Sequence, residues 1–353
     1  MAARRRRHGD DRSLHTGSGF QRSAARASDA RLGAACHRRH RRADHDPAGG
    51  ARCAPKDERH TMSAPITPDP GQILREVRLA LQHNDYPAAI SGLESAVKLA
   101  RESGDLAAEG RHLGNLALIF YRLGQRERAL RYFDRALSIA RSDEDRLTEA
   151  GLLGNIGNVL REMGRFNEAV DYLNRALLIA QEIGDDRGRG IWLGNLGLVH
   201  DDLNQPQQAI PLHEQSIVIA RRLRDQRGLA ARLGNLGNSY VTLNDLGRAL
   251  TYFEEAAALY RELDEPVALA QRLGVIGNLH TAQARAAAHA ADQRRHLRAA
   301  LVCYRETLAL AVKLGDEQST ADLQHVIDTL APLAEEGNGA ASRGADHDAS
   351  ARF

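Results

Sequence analysis

The stretch LGNLGN, Leu233–Asn238, places two glycines and two asparagines where the surrounding residues call for a helix. Glycine in a helix interior costs about 1 kcal/mol relative to alanine, and asparagine roughly half to two thirds of that. Such a stretch should be rare. Yet Leu-Gly-Asn recurs at 113–115, 153–155, 193–195 and 233–235, each copy 40 residues after the last, and a decayed LGV follows at 273–275. A locally costly choice repeated in register points to tertiary geometry, to function, or to both.

A chain of 353 residues would ordinarily suggest two or three domains, but a fixed internal period replaces them with an array of small stacked units. Aromatics make up only 4% of residues while alanine and leucine dominate, so small side chains must let helices approach closely. The unit beginning at Ala150 shows the pattern: Leu153, Ile156 and Leu160 have the i, i+3, i+7 spacing of one buried helical face, and Met163-Gly164 ends that helix. Phe166, Ala169, Leu173, Ala176 and Ile179 then line a second helix. Two short antiparallel helices cannot bury their apolar faces alone; they need neighbours on both sides, which is the logic of a helical solenoid.

The pattern Leu153, Ile156, Gly157, Leu160, Gly164, Phe166, Ala169, Leu173, Ala176 resembles the tetratricopeptide repeat. The 40-residue spacing, the Gly-Asn pairs and endings such as IAQEIGDDRGRG resemble its longer-period subclass, found in spindle-orientation adaptors and, more distantly, in kinesin light chains. The resemblance covers residues 72–331. It implies an all-α fold, a right-handed superhelical solenoid of about six helix pairs with a C-terminal capping helix. On that frame the small second-helix residues are Ala89, Ala129, Ala169, Ala209, Ala249 and Ala300. The first unit, 72–110, lacks the Leu-Gly-Asn signature, and the sixth carries 11 extra residues around ARAAAHAADQRRH. Ala321–Leu330 reads as a polar-faced terminal helix, as a cap should be.

Glycine at 157, 197, 237 and 277 fits close packing of the paired helix. The glycines three residues earlier lie on nearly the same face. The asparagines carry more functional information. The resemblance implies that first helices line a concave inner surface and that Asn115, Asn155, Asn195 and Asn235 face it; Asn158, Asn238 and Asn278, at i+3, share that face. A side-chain amide offers one acceptor and two donors, which suits it to grip a peptide backbone, and related repeats hold an extended segment of a partner in this way. With neighbouring groove helices roughly 10 Å apart, four asparagines span about 30 Å, which an extended strand covers with roughly nine residues. The expected ligand is a short linear motif or a disordered tail of a protein partner. The alternative is an asparagine ladder that ties unit to unit and holds no ligand. Arg111, Arg122, Arg161 and Arg232 could pair with acidic partner side chains, with Asp201 and Asp202 opposing them. The carboxylate-clamp version of the repeat, which binds chaperone C-termini, needs a tight set of lysines and arginines around its asparagines, and that set is not evident here, where the repeats carry only Lys98 and Lys313.

Residues 1–70 are read as a disordered basic head and 332–353 as a disordered tail. Residues 1–61 hold 15 Lys+Arg against 7 Asp+Glu, whereas 62–353 hold 33 against 39. The texture becomes protein-like just after Met62, a candidate natural start that would make 1–61 an upstream extension. If expressed, the arginine-rich head could supply sequence-independent phosphate contacts, the alternative reading being a nucleic-acid-associated regulator that uses the repeats to sense a partner. Cys36, Cys53 and Cys303 form no disulfide framework, and the default is a reducing cytoplasm. No run of 18 apolar residues marks a membrane span. Cys36, His37, His40, His45 and Cys53 match no established zinc spacing. The histidines of the repeats stand singly, and no catalytic constellation or cofactor motif is found, so a non-enzymatic scaffold without cofactor or metal is expected. The alanine-, arginine- and glycine-rich composition points to a GC-rich, bacterial source.

Overall fold

The computed structural model describes residues 69–335. The readings of the basic head up to residue 68, the start at Met62, the Cys36–Cys53 cluster, the nucleic-acid contacts and the tail beyond 335 fall outside the described residues, whereas Pro70, read as the end of the head, opens the first helix. Thirteen helices and no strand are seen among the described residues. The first seven are α1 (Pro70–Gln82), α2 (Tyr86–Ser103), α3 (Leu106–Arg122), α4 (Arg126–Ser142), α5 (Arg146–Glu162), α6 (Phe166–Glu182) and α7 (Asp186–Asp202). They are followed by α8 (Pro206–Leu223), α9 (Gln226–Thr242), α10 (Leu246–Glu262), α11 (Pro266–Ala286), α12 (Ala290–Leu314) and α13 (Glu317–Glu335). Odd-numbered helices through α11 open the six units, even-numbered ones close them, and α13 covers the end. From α3 onward consecutive helices pack on one another, and α7 also touches α5 and α9, so the array is a helical solenoid. α13 continues four residues past 331, with Ala334 buried against the last core cluster, so residues 332–335 are helix rather than tail.

Each unit has a finer grain than its sequence period. A residue in the left-handed region stands at Asn84 and then at every twentieth position through Asp264, whether glycine (Gly104, Gly124, Gly164, Gly184) or not (Glu144, Asn204, Arg224, Asn244). Across each of these turns the N–H just after it reaches back five residues: Asp105 to the Ala100 carbonyl at 2.9 Å, Gln125 to Phe120 at 2.9 Å, Asp145 to Ala140 at 2.9 Å. This is the Schellman closure of a helix C-terminus. Turns within units and turns between units share it. First helices α3, α5, α7 and α9 also start alike, because Asp105, Asp145, Asp185 and Asp225 each accept the N–H three residues on, a cap contributing about 1 kcal/mol.

The two glycine positions answer to different neighbours. A Cβ on Gly157 would lie 2.7 Å from Leu173 Cγ, on Gly237 2.9 Å from the Phe253 ring, and on Gly277 2.7 Å from the Tyr304 ring. On Gly197 it would overlap the His213 ring. These glycines admit the second helix of their own unit. Three of the four Leu-Gly-Asn glycines instead face the next unit's first helix, with Leu152 over Gly114, Trp192 over Gly154 and Arg272 over Gly234, while Gly194 faces Ser216 of its own unit. Close approach is thus required both within and between units, which accounts for the doubled glycine of the motif.

Three apolar clusters run along the array, formed from residues between Ile73 and Val199, between Ile217 and Leu279, and between Ala284 and Ala334. The first break falls where His213 and Ser216, both 0% exposed, occupy core positions of α8. The 11 extra residues of the sixth unit are all absorbed as helix. α11 has 21 residues instead of the 17 of α3, α5, α7 and α9, and α12 begins at Ala290, seven residues before Leu297, the counterpart of the α10 start at Leu246.

Candidate functional site

Because α3, α5, α7 and α9 start 40 residues apart and share one length, Asn115, Asn155, Asn195 and Asn235 occupy the same place on four successive first helices. Asn115 is exposed; the other three are half-buried. None of the four side-chain amides makes a hydrogen bond among the described residues. The i+3 column is mixed: Leu118, Asn158, Leu198, Asn238 and Asn278. Leu118 and Asn238 are exposed, and Asn158 and Leu198 are half-buried. Asn278 differs from the others in that its Oδ1 accepts the Tyr304 hydroxyl at 2.7 Å. The two leucines went unnoticed in the sequence because they interrupt an asparagine pattern. They set apolar side chains between the amides.

Ties between units are carried by other residues. The Tyr121 hydroxyl donates to Glu162, and Arg126 reaches the same carboxylate at 3.0 Å. Arg161 Nη1 lies 3.7 Å from Asp202 Oδ2. Burial pushes the Asp202 carboxyl above the usual carboxylate range, against the opposing pull of Arg161. Asp201 Oδ1 accepts the Ser239 hydroxyl at 2.7 Å, and its Oδ2 lies 2.9 Å from His213 Nε2. At the opposite ends of the helices, Glu109 is held by Arg101 at 2.6 Å, and Glu149 by Arg141 at 2.9 Å and Arg146 at 2.6 Å. For Glu149, burial alone would raise the carboxyl, but the hydrogen bonds from the two arginines outweigh it and hold it below the usual range.

The four arginines are placed differently from one another. Arg111 and Arg122 are exposed. Arg161 is half-buried beside Asp202, and its Nε has no partner. Arg232 is drawn into the array: its Nε donates to Ser216 Oγ at 2.5 Å, its Nη1 lies 3.6 Å from Asp225 Oδ2, and its side chain is 12% exposed. Burial pulls the Arg232 guanidinium below its ordinary value. Cys303 is half-buried against the second apolar cluster, and burial pushes its thiol up. Among the described residues no group of three or more His, Cys, Asp or Glu gathers to hold a metal ion. No described helix is long and apolar enough to cross a membrane.

Among solved structures, the chain is similar to BtubC (BKLC) from P. vanneervenii, at 21% identity and a TM-score of 0.54, covering 69% of this chain and 92% of that one. The apo form of RapI matches at 15% identity and a TM-score of 0.55, over 76% of this chain and 99% of that one. Aspartyl phosphate phosphatase F from Bacillus subtilis matches at 15% identity and a TM-score of 0.54, over 80% of this chain and 84% of that one. At these identities the likeness is one of fold. No curated protein is a significant match. The tetratricopeptide repeat model matches residues 78–142, 148–222 and 206–262, about half of the sequence. With the helix pairs, the glycine contacts and the recurring turns already described, these matches place the chain in the tetratricopeptide repeat family.

Proposed function

We propose that this chain is a non-enzymatic interaction scaffold whose first helices bind an extended segment of a partner protein. The observation that carries the reading is the column Asn115, Asn155, Asn195, Asn235: four amides in register, none hydrogen-bonded among the described residues. Around them, the ties between units run through Glu162, Asp201 and Asp202. A ladder that served only to join units would spend its amides on its neighbours. An amide left open offers a peptide group both a donor and an acceptor. Leu118 and Leu198 between the amides favour a segment with apolar side chains at intervals, while exposed Arg111 and Arg122 at the second unit favour an acidic residue there.

The test uses the full chain and its variant with all four asparagines replaced by alanine. Peptides of about nine to twelve residues, the length that spans four units, are selected from a displayed random library against the wild type and titrated against both proteins. The expected outcome is loss of binding in the variant with unchanged or raised thermal stability, since alanine is the better helix former by roughly 0.5 kcal/mol per site. Equal affinity for both proteins, or a large fall in stability, would overturn the reading.

A further inference from the structure

Arg272 on α11 continues a series that runs His112, Leu152, Trp192 and Arg232 along the earlier first helices. Leu152 and Trp192 fill this place with apolar surface. Arg232 and Arg272 instead bring a guanidinium, a charge that is costly to hold away from water unless it is paired. Arg232 finds its partners inside the array: Ser216 Oγ at 2.5 Å, the Gly190 carbonyl at 3.5 Å and Asp225 Oδ2 at 3.6 Å. Forty residues on, the two side-chain partners are gone or engaged. Ser216 is replaced by Ala256, and Asp225 by Glu265, whose carboxylate is taken by Arg227.

Arg272 is half-buried, and among the described residues its guanidinium makes no hydrogen bond and meets no carboxylate. Its carbon stands 5.5 Å from the centroid of the Phe253 ring, a contact that compensates less than charge-assisted hydrogen bonds do. Burial pulls the guanidinium below its ordinary value, against a smaller opposing pull from Tyr260. An arginine nevertheless keeps its proton in a protein, so the cost of burial is not relieved by neutralisation. The cation lies beside the asparagine column. A Cβ on Gly234 would be 2.7 Å from Arg272 Nη1, which sets the guanidinium against α9 one residue from Asn235 and one helical turn from the exposed Asn238.

These features define what would complete the site. One positive charge on a planar fork matches one carboxylate, which accepts two parallel N–H bonds. A phosphate dianion would call for a second cation, and neighbouring Arg232 is committed to Asp225 and Ser216. With the ligand backbone at the Asn235 amide, the group that reaches a half-buried guanidinium is a side chain rather than a chain end. We propose that Arg272 is an acid-recognising subsite of the groove, its guanidinium receiving the carboxylate of a glutamate or aspartate side chain of the extended segment as that segment passes Asn235. The inference rests on the reading of the asparagine column as a peptide site, and adds to it a fixed point of register at the boundary of units five and six.

The probe is a displayed library of random peptides of about twelve residues, selected on the full chain and titrated against wild type, the quadruple asparagine variant and Arg272→Met, which keeps an apolar stem and removes the charge. Peptides that lose binding to the asparagine variant are expected to share one acidic residue. Changing that residue to its amide, and Arg272→Met in the protein, should each weaken binding about tenfold or more, and the two together little more than either alone. Without peptide, Arg272→Met should unfold at an unchanged or higher temperature, because it removes an unpaired charge from a partly buried place. Asparagine-dependent peptides that are indifferent to both changes would overturn the proposal and leave the peptide-binding reading standing. Peptides indifferent to the asparagines would overturn that reading, and the proposal with it. Loss of binding on amidation of the peptide C-terminus, with internal acidic residues dispensable, would overturn the assignment to a side chain. A marked fall in the unfolding temperature of Arg272→Met would make the guanidinium a structural element and overturn the proposal as well.

Discussion

Unit three and unit four solve one packing problem with opposite chemistry. In unit three Leu173 sits over Gly157 with Ala176 one helical step on; in unit four His213 sits over Gly197 with Ser216 in that place. All four side chains are 0% exposed. The apolar seam asks only for complementary shape. The polar seam asks that each buried polar atom find a partner, since leaving one unmet costs about 1–3 kcal/mol. Asp201 answers His213 Nε2 and the Ser239 hydroxyl together, and Ser216 donates to the Gly190 carbonyl at 2.5 Å and accepts from Arg232, while the buried His213 Nδ1 is left without a hydrogen-bond partner. The outcome is that α7, α8 and α9 are joined by a network where α5, α6 and α7 are joined by packing. A repeat fold fixes where a side chain goes and leaves open how its burial is made favourable.

The comparison can be broken most forcefully on its apolar side. Leu173→Ala removes a fully buried side chain over a glycine that cannot fill the space, and should cost about 2–5 kcal/mol in denaturant unfolding. A loss under 1 kcal/mol would mean that the seam collapses around the gap and that the close approach at Gly157 is dispensable. Next in size is Asp201→Ala, which strips an acceptor from both His213 and Ser239 and should cost about 1–3 kcal/mol. If the polar seam is a coupled unit, His213→Leu, which copies unit three, should partly rescue Asp201→Ala. A double-mutant cycle should then give a coupling of about 1 kcal/mol or more. Strict additivity would show that His213 and Asp201 are neighbours without being a network.

The sequence carried the helix pairs and their register because Leu-Gly-Asn repeats at 40 residues with few substitutions. Even so, it left two physical features illegible. The 20-residue half-period is hidden because the left-handed position tolerates Glu144, Arg224 and Asp264 when the closing hydrogen bonds hold the turn, so no glycine signal appears there. The polar seam is hidden because His213, Asp201 and Ser239 belong to three helices and no local spacing links them. Of the candidate site, the asparagine column was readable from its period. The burial of Arg232 was not, because its partners Ser216 and Asp225 come from another helix and from the turn before its own.

The smallest effect probes the same two units at their turns. The first helix of unit three ends at Gly164, with φ of +74°, and that of unit four at Asn204, with φ of +56°. Both turns close with the same backbone bond, Arg165 N–H to the Leu160 carbonyl at 2.9 Å and Gln205 N–H to the His200 carbonyl at 2.8 Å. An alanine in this conformation costs about 1–2 kcal/mol because its Cβ crowds the carbonyl, whereas asparagine adopts it more readily and glycine freely. Gly164→Ala should therefore lower stability by about 1 kcal/mol. Asn204→Gly should raise it by no more than a few tenths, because the gain in the folded turn is offset by the greater freedom of glycine in the unfolded chain. The two changes act on backbone geometry alone and leave both seams intact. Equal and opposite effects of similar size would mean that asparagine gains nothing from its side chain at this position. A stabilisation by Asn204→Gly as large as the loss at Gly164→Ala would therefore place real strain in the turn that feeds the polar seam, and the contrast between the two units would then begin in the backbone rather than in the side chains.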